Sequence, residues 1–170
     1  MVEEADFLTR QGARALSTRL RRLYEALNQG VAAAYREAGI AFEPRWFGLM
    51  TLMRSRSSVE IGEAAAVLGQ SHVAVVQVAN ALESRRLIRR TASRADKRRR
   101  ALAITAKGEA LCVRLDPLWD VVQRATDELL HEAAPRFLEQ LDALDAALMR
   151  MPLDRRIHQL ATKSKRKAAP

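Results

Sequence analysis

The chain of 170 residues has a formal net charge of +9, and 48% of its residues are hydrophobic. This length suits one domain with a core, or one domain plus an oligomerisation element, and the composition favours a mostly helical protein. A single cysteine, Cys112, excludes an intramolecular disulfide, and no metal-ligand spacing or bound cofactor is indicated. Residues 1–10 hold no apolar run of signal-peptide or membrane-span length, so we expect a cytoplasmic protein.

Apolar residues recur at helical spacing from Phe7 to Tyr35. This pattern predicts one long helix over residues 5–38, stopped by Gly39. A stripe of this length has no partner nearby in the sequence and suggests packing against a second chain. Pro44 begins the next helix, which we expect to continue to a loop at residues 54–58.

Two short helices are predicted next, over residues 61–68 and 71–84. Gly69 and Gln70 form the turn between them, and Ser71 is a suitable N-cap for the second helix. Two short helices joined by a tight glycine-containing turn are typical of a helix-turn-helix, whose second helix enters the major groove of DNA.

The positive charge is concentrated directly after these helices. Residues 85–100 contain nine arginines and lysines against one carboxylate, Asp96, and therefore carry a net +8. Residues 87–90 and 99–104 are predicted as two strands around a polar tip at residues 91–98. A basic β-hairpin in this position is a wing, and its cations suit a polyanion, although a solvated charge run is the alternative interpretation.

The last third of the chain is predicted to be helical. Thr105 caps a helix that kinks at Pro117 and continues to about His131, and a final helix begins at Pro135 and extends to about Arg150. We expect fraying helix over residues 151–160 and a disordered basic tail over residues 161–170.

Several motifs occur in a fixed order through the predicted helix-turn-helix and wing. They are Leu68-Gly69, Leu82-Glu83-Ser84-Arg85-Arg86-Leu87-Ile88, Asp96-Lys97-Arg98 and Ile104-Thr105-Ala106-Lys107-Gly108. In order and spacing they resemble the MarR family of bacterial transcription regulators. The helix opening Ser71-His72-Val73-Ala74-Val75-Val76-Gln77 is similar to a subset of that family, some of whose members carry an acetyltransferase domain that this chain has no room for.

The resemblance implies a mainly α fold with a small β-hairpin, in a single domain over residues 5–160. A winged helix-turn-helix lobe, residues 42–105 with its wing at 88–104, would be flanked by dimerisation helices over residues 5–38 and 106–160. It further implies a homodimeric repressor on a pseudo-palindromic operator in double-stranded DNA, released by a small-molecule effector. Arg86 stands where the family usually has glycine, so we expect a strained or rearranged left-handed turn there.

Helical geometry divides the second helix of the motif into two faces. The inward stripe is Val75, Val78, Ala79 and Leu82. The outward positions are the candidate groove contacts, namely Ser71, His72, Val73, Val76, Gln77 and Asn80. Gln77 can address adenine with its amide, and His72 can reach a phosphate or a guanine, although a plain surface histidine is the alternative.

The wing residues are expected to have different roles. The resemblance makes Arg98 the arginine that enters the minor groove, with Asp96 bracing it or the tip. Arg94, Lys97 and Arg99 would then contact phosphate.

Other residues are candidates either for a further site or for a structural role. The family's effector cleft brings Tyr35, Arg45, Trp46 and His72 into consideration. The aromatic residues Trp46, Phe47, Trp119 and Phe137 are interpreted as core or dimer contacts rather than as a cofactor site. Cys112 invites a redox-sensor interpretation, but a small buried apolar role is favoured because there is no resolving cysteine.

Three other classes of function remain as alternatives. A non-specific architectural DNA-binding protein would use the basic wing and tail to coat DNA, but the outward Gln77 and Asn80 argue against it. An enzyme is not indicated, since we find no paired carboxylates, nucleophile with base, phosphate-binding glycine loop or metal cluster. An interaction protein could bind a partner helix through the N-terminal stripe.

Overall fold

The computed structural model describes residues 7–92 and 100–168. The chain divides into two compact units, Met1–Asp120 and Val121–Pro170. Helices dominate both, and the first unit also contains a small antiparallel sheet. The predicted mainly α fold with a β-hairpin is confirmed.

The N-terminal helix, α1 (Leu16–Glu37), is shorter than predicted. A continuous helix from residue 5 was wrong, because Gly12 adopts a φ of +55° and a 3-10 turn, Gly12–Ala15, precedes α1. The predicted stop at Gly39 is confirmed. Gly39 has a φ of +64°, and the amide of Ile40 donates to the carbonyl of Tyr35 at 2.9 Å, which closes the last turn.

The helix-turn-helix lobe begins at a 3-10 turn, Pro44–Trp46, that leads into α2 (Phe47–Ser55). The predicted helix-turn-helix follows as α3 (Ile61–Leu68) and α4 (His72–Ser84). Gly69 provides the left-handed turn, with a φ of +61°. The predicted N-cap is confirmed, since Ser71 Oγ accepts from the amide of Ala74 at 3.1 Å.

Three short strands form the sheet: β1 (Val59–Glu60), β2 (Ile88–Ala92) and β3 (Arg100–Ile104). Their order is β1-β3-β2, and both pairings are antiparallel. The predicted hairpin is confirmed, and each of its strands begins one residue later than expected. β1 was not predicted, because a two-residue strand has no measurable alternation of apolar and polar residues.

A long helix, α5 (Ala106–Ala133), follows the hairpin and is continuous through Pro117. The predicted cap is confirmed, because Thr105 Oγ1 accepts from the amide of Gly108 at 3.1 Å. Glycine is required at position 108, since a Cβ there would lie 2.1 Å from the carbonyl oxygen of Leu87. The start of α5 therefore lies directly against the end of the turn that leads into β2.

Two further helices, α6 (Phe137–Arg150) and α7 (Leu153–Ala168), complete the second unit. Residues 153–160 are helical, where fraying helix was predicted, and the helix continues to residue 168, into the segment predicted as a disordered tail. Residues 153–168 contain no glycine or proline and are rich in Ala, Leu, Lys and Arg, all strong helix formers.

The hydrophobic core lies in the first unit. Its largest fully buried side chains include Trp46, Tyr35, Met50, Leu82 and Leu115. By contrast, none of the described side chains from residue 121 to residue 164 is buried.

Candidate nucleic-acid interface

The second helix of the motif, α4, has one buried face and one exposed face. The predicted inward stripe is confirmed: Val75, Val78, Ala79 and Leu82 are all buried. On the other face, Ser71, His72, Val73, Gln77 and Asn80 are exposed and Val76 is half-buried. Val73 is 64% exposed. The candidate groove residues therefore share one accessible surface.

Strand β2 is tied to this surface by Arg90. The guanidinium of Arg90 donates through Nη2 to Asn80 Oδ1, and its Nε lies 3.4 Å from Glu83 Oε2. Sequence reasoning missed this contact, because residues 80 and 90 meet only through the turn that joins α4 to β2. Asn80 is thus accessible and also held in one orientation.

The turn after α4 keeps the left-handed conformation despite its arginine. Arg86 has a φ of +60° and is the only non-glycine residue with positive φ among residues 7–92 and 100–168. The amide of Arg86 donates to the carbonyl of Glu83 at 2.8 Å, and Thr105 Oγ1 donates to the carbonyl of Arg86 at 2.8 Å. The next amide, of Leu87, donates to the carbonyl of Leu82 at 3.0 Å. The expected strain is present, since a residue with a Cβ has a positive φ here. The surrounding hydrogen bonds hold the backbone in this conformation.

The candidate wing residues lie outside the described residues. This applies to Arg94, Asp96, Lys97, Arg98 and Arg99, since β2 ends at Ala92 and β3 begins at Arg100. The ladder that leads to them is described, with Ala92 paired to Arg100. Their assigned roles remain predictions.

The four candidate effector residues lie in different surroundings. Tyr35 and Trp46 belong to the core, at 2% and 1% exposure, within an aromatic cluster that also contains Phe42, and His72 is exposed at the start of α4. Burial raises the pKa of Tyr35, while the hydrogen bond from Trp119 Nε1 to its oxygen, 3.0 Å long, acts in the opposite direction. The core interpretation of Trp46 is confirmed.

Arg45 does line a cavity of about 550 Å³ between α1 and the 3-10 turn before α2. The other residues that line it are Tyr24, Asn28, Gln29, Ala32, Arg36, Glu43 and Pro44. Arg45 Nε donates to Glu43 Oε2 at 2.7 Å. Of these lining residues, only Arg45 was predicted as an effector residue. The cavity forms where α1 packs against the turn, and no local sequence pattern indicates this contact.

Arg85, at the C-terminal end of α4, lies over the ring of Trp46 with its Cζ 4.5 Å from the centroid. The same guanidinium lies 3.8 Å from Glu43 Oε1. Glu43 therefore has one carboxylate oxygen near the cavity arginine and the other near the end of α4.

Cys112 is fully buried on α5 and unpaired. Burial raises the pKa of its thiol to about 11. Beside it, Arg54 Nη1 donates to Asp116 Oδ1 at 2.7 Å and Arg54 Nε donates to Glu109 Oε1 at 3.0 Å. The favoured interpretation of Cys112 as a small buried residue is confirmed, because a buried thiol with a raised pKa is a poor nucleophile.

Metal sites and membrane spans are two further classes of feature in residues 7–92 and 100–168. No group of three or more His, Cys, Asp or Glu side chains in these ranges could hold a metal ion. No single helix there is long and apolar enough to cross a membrane, and only the bent pair of α3 and α4 reaches the required length and composition together.

Residues 44–99 match the model of the MarR family. No curated protein matches the chain in sequence. Among solved structures, the chain is similar to the transcriptional regulator BldR from Sulfolobus solfataricus, with a TM-score of 0.61 and 18% identity over 80% of this chain and 94% of BldR.

Two other solved structures share the fold. The transcriptional repressor CouR, bound to a 23-mer DNA duplex, has a TM-score of 0.60 and 26% identity over 79% of this chain and 92% of its own. BpsR from Bordetella bronchiseptica, whose DNA binding is regulated by 6-hydroxynicotinic acid, has a TM-score of 0.61 and 17% identity over 74% of this chain and 91% of its own. Residues 44–99 therefore match the MarR family, and the chain shares its fold with solved transcriptional regulators.

Proposed function

We propose that this protein represses transcription by binding a pseudo-palindromic operator in double-stranded DNA as a homodimer. The observation that carries the proposal is the exposed polar edge of α4, with Ser71, His72, Gln77 and Asn80 accessible beside a basic hairpin. A helix of this kind fits the major groove, where amide and imidazole groups meet base edges. CouR, at 26% identity, adopts the same fold on a DNA duplex.

Exposed leucine stripes support the homodimer. On α1 the exposed residues Leu16, Leu20, Leu23 and Leu27 recur at helical spacing. On α6 the exposed residues Leu138, Leu141, Leu144 and Leu148 do the same. The described side chains of residues 121–164 include no buried one, and a second copy of the chain that covers these stripes would remove their apolar surface from water.

The wing supplies the electrostatic part of binding. Arg98 enters the minor groove beside the half-site, Arg94, Lys97 and Arg99 contact phosphates, and Asp96 orients the tip. Because most of this interaction is between cations and phosphate, affinity falls steeply as salt rises.

An effector releases the protein from DNA by binding the cavity between α1 and the turn at residues 44–46. A volume of about 550 Å³ accommodates a small organic molecule, and the wall carries a net positive charge, from Arg36 and Arg45 against Glu43, which favours an anionic one. BpsR, which shares the fold, is regulated by 6-hydroxynicotinic acid. The effector acts by favouring a spacing of the two lobes that does not match the operator.

Selection of bound duplexes from a random library tests the proposal, together with sedimentation of the free protein. We expect a dimer and an enriched pseudo-palindrome whose half-sites are about 34 Å, one helical turn, apart. A monomer, or a library that stays random after selection, would contradict it. The latter result would instead support a non-specific architectural DNA-binding protein.

A further inference from the structure

Arg90, a cation of the basic segment, contacts the recognition helix α4. Arg90 is directed from β2 towards α4, where it donates to Asn80 Oδ1 and lies 3.4 Å from Glu83 Oε2. Asn80 and Glu83 are three residues apart and therefore neighbours on the helix surface. The fork of the guanidinium can engage both at once.

The contact fixes the direction of the Asn80 amide. A guanidinium has only donors, so the amide atom that faces Arg90 must be the oxygen. The amide nitrogen is then directed away from Arg90, on the exposed face of α4. An unconstrained asparagine can instead present either atom to a base.

This restriction matters for base recognition. An asparagine that is free to rotate pairs best with adenine, because it accepts from N6 and donates to N7. An asparagine whose oxygen is held against an arginine directs its amide N–H donors, rather than its oxygen, to the accessible side. Guanine suits such a group best, since its major-groove edge has two acceptors, N7 and O6.

The pairing with Glu83 also gives Arg90 a different role from the residues proposed to contact phosphate. Its charge is offset by the carboxylate, and two of its donors are already directed at α4. Three of its five N–H donors remain, but a phosphate that they reached would meet a cation whose charge Glu83 already offsets.

We propose that Arg90 is a positioning residue for base readout: it holds the Asn80 amide so that its N–H donors select guanine over adenine at one position of each half-site. The inference rests on the proposed sequence-specific DNA binding. Arg90 acts through Asn80 and makes no phosphate contact of its own.

The test compares Arg90→Met with the wild type on the duplex selected from the random library and on the same duplex with guanine replaced by each other base, one position at a time. At the position read by Asn80, we expect the guanine-over-adenine preference to fall at least about 5-fold. The slope of log affinity against log salt should stay unchanged, because no phosphate contact is lost. In an Asn80→Ala background, Arg90→Met should change the base preference no further.

Arg89→Met is the matched control. Arg89 is the exposed neighbouring residue of β2, and its side chain is directed to the opposite face of the strand. The same loss of charge there should leave base preference unaltered. Far-ultraviolet circular dichroism and the dimer mass establish that each variant is folded.

A slope reduced by about one, with affinity lowered equally on every duplex, would overturn the inference and make Arg90 a phosphate contact. An unchanged base preference in Arg90→Met would overturn it too. Both outcomes require a wild type that binds its selected duplex, so they are distinguishable from failure of the proposed function, in which no duplex is preferred.

Discussion

Arg85 lies over Trp46, with its guanidinium carbon 4.5 Å from the centre of the indole ring. The arginine ends α4, and the tryptophan belongs to the turn that precedes α2 and is 1% exposed. The end of the DNA-reading helix is therefore anchored to the same turn that forms one wall of the cavity. Glu43, between Arg45 and Arg85, adds an electrostatic connection between the two.

Replacing Arg85 with glutamine should weaken this anchor. Partly exposed cation–π contacts contribute about 0.5 to 1 kcal/mol, so we expect the free energy of unfolding to fall by that amount. Urea denaturation followed by Trp fluorescence measures it. Arg85→Lys, which keeps the positive charge, should lose less, and equal losses in the two variants would show that the stacked charge contributes nothing.

Replacing Arg86 with glycine should stabilise the protein. A left-handed conformation costs an L-residue about 1 to 2 kcal/mol, and glycine avoids this cost. Glycine also raises the conformational entropy of the unfolded chain, which offsets part of the gain. We expect a net gain of about 0.5 to 1 kcal/mol in thermal or urea unfolding. Arg86→Ala removes the same charge but keeps a Cβ, so it should give no gain; equal stabilisation by alanine would attribute the effect to charge rather than to backbone strain.

Cys112 should make stability depend on pH above about 9. The pKa of the thiol is about 11 in the folded protein and lower when the chain unfolds. Between these two values the unfolded state loses the proton first, so stability falls as pH rises. Between pH 8 and pH 10 we expect the wild type to lose about 1 kcal/mol more than Cys112→Ala.

The thiol should also react slowly with iodoacetamide at neutral pH, because it is buried and protonated. Urea unfolding curves and the rate of alkylation measure these two effects. Fast alkylation of the folded protein, or identical pH profiles for wild type and Cys112→Ala, would contradict the account of this residue.

Replacing Arg98 with alanine should weaken operator binding by about 1 to 3 kcal/mol. The reason is loss of the minor-groove arginine, while the leucine stripes proposed for dimerisation are untouched. A gel-shift titration at fixed salt gives the affinity, and sedimentation gives the oligomeric state. Unchanged affinity would contradict a role for Arg98 in DNA binding. A dissociated dimer would show that the substitution affects dimerisation.

The helix-turn-helix was predictable because its signals are local. Gly69 marks the turn, Ser71 caps α4, and the spacing of Val75, Val78 and Leu82 separates buried from exposed positions. The left-handed conformation of Arg86, with a φ of +60°, was predictable for the same reason, because the motif requires a turn at this position.

The features that were not predicted depend on contacts between distant residues. Strand β1 exists because Val59 pairs with Leu102, and the cavity exists because α1 lies near Glu43 and Arg45. The hydrogen bond between Arg90 and Asn80 joins β2 to α4, and no sequence pattern reveals how these two elements are placed relative to each other. The break at Gly12 could have been anticipated from the glycine itself, but the long apolar stripe outweighed it.

The central claim is that α4 reads DNA sequence, and a salt series of binding measurements on two duplexes tests it most directly. One duplex carries the selected pseudo-palindrome, and the other has the same base composition in scrambled order. At physiological salt we expect the selected duplex to bind at least about 1,000-fold more tightly, with affinity for both duplexes falling steeply as salt rises. Equal affinity for the two duplexes, or a log–log slope near zero, would contradict the account.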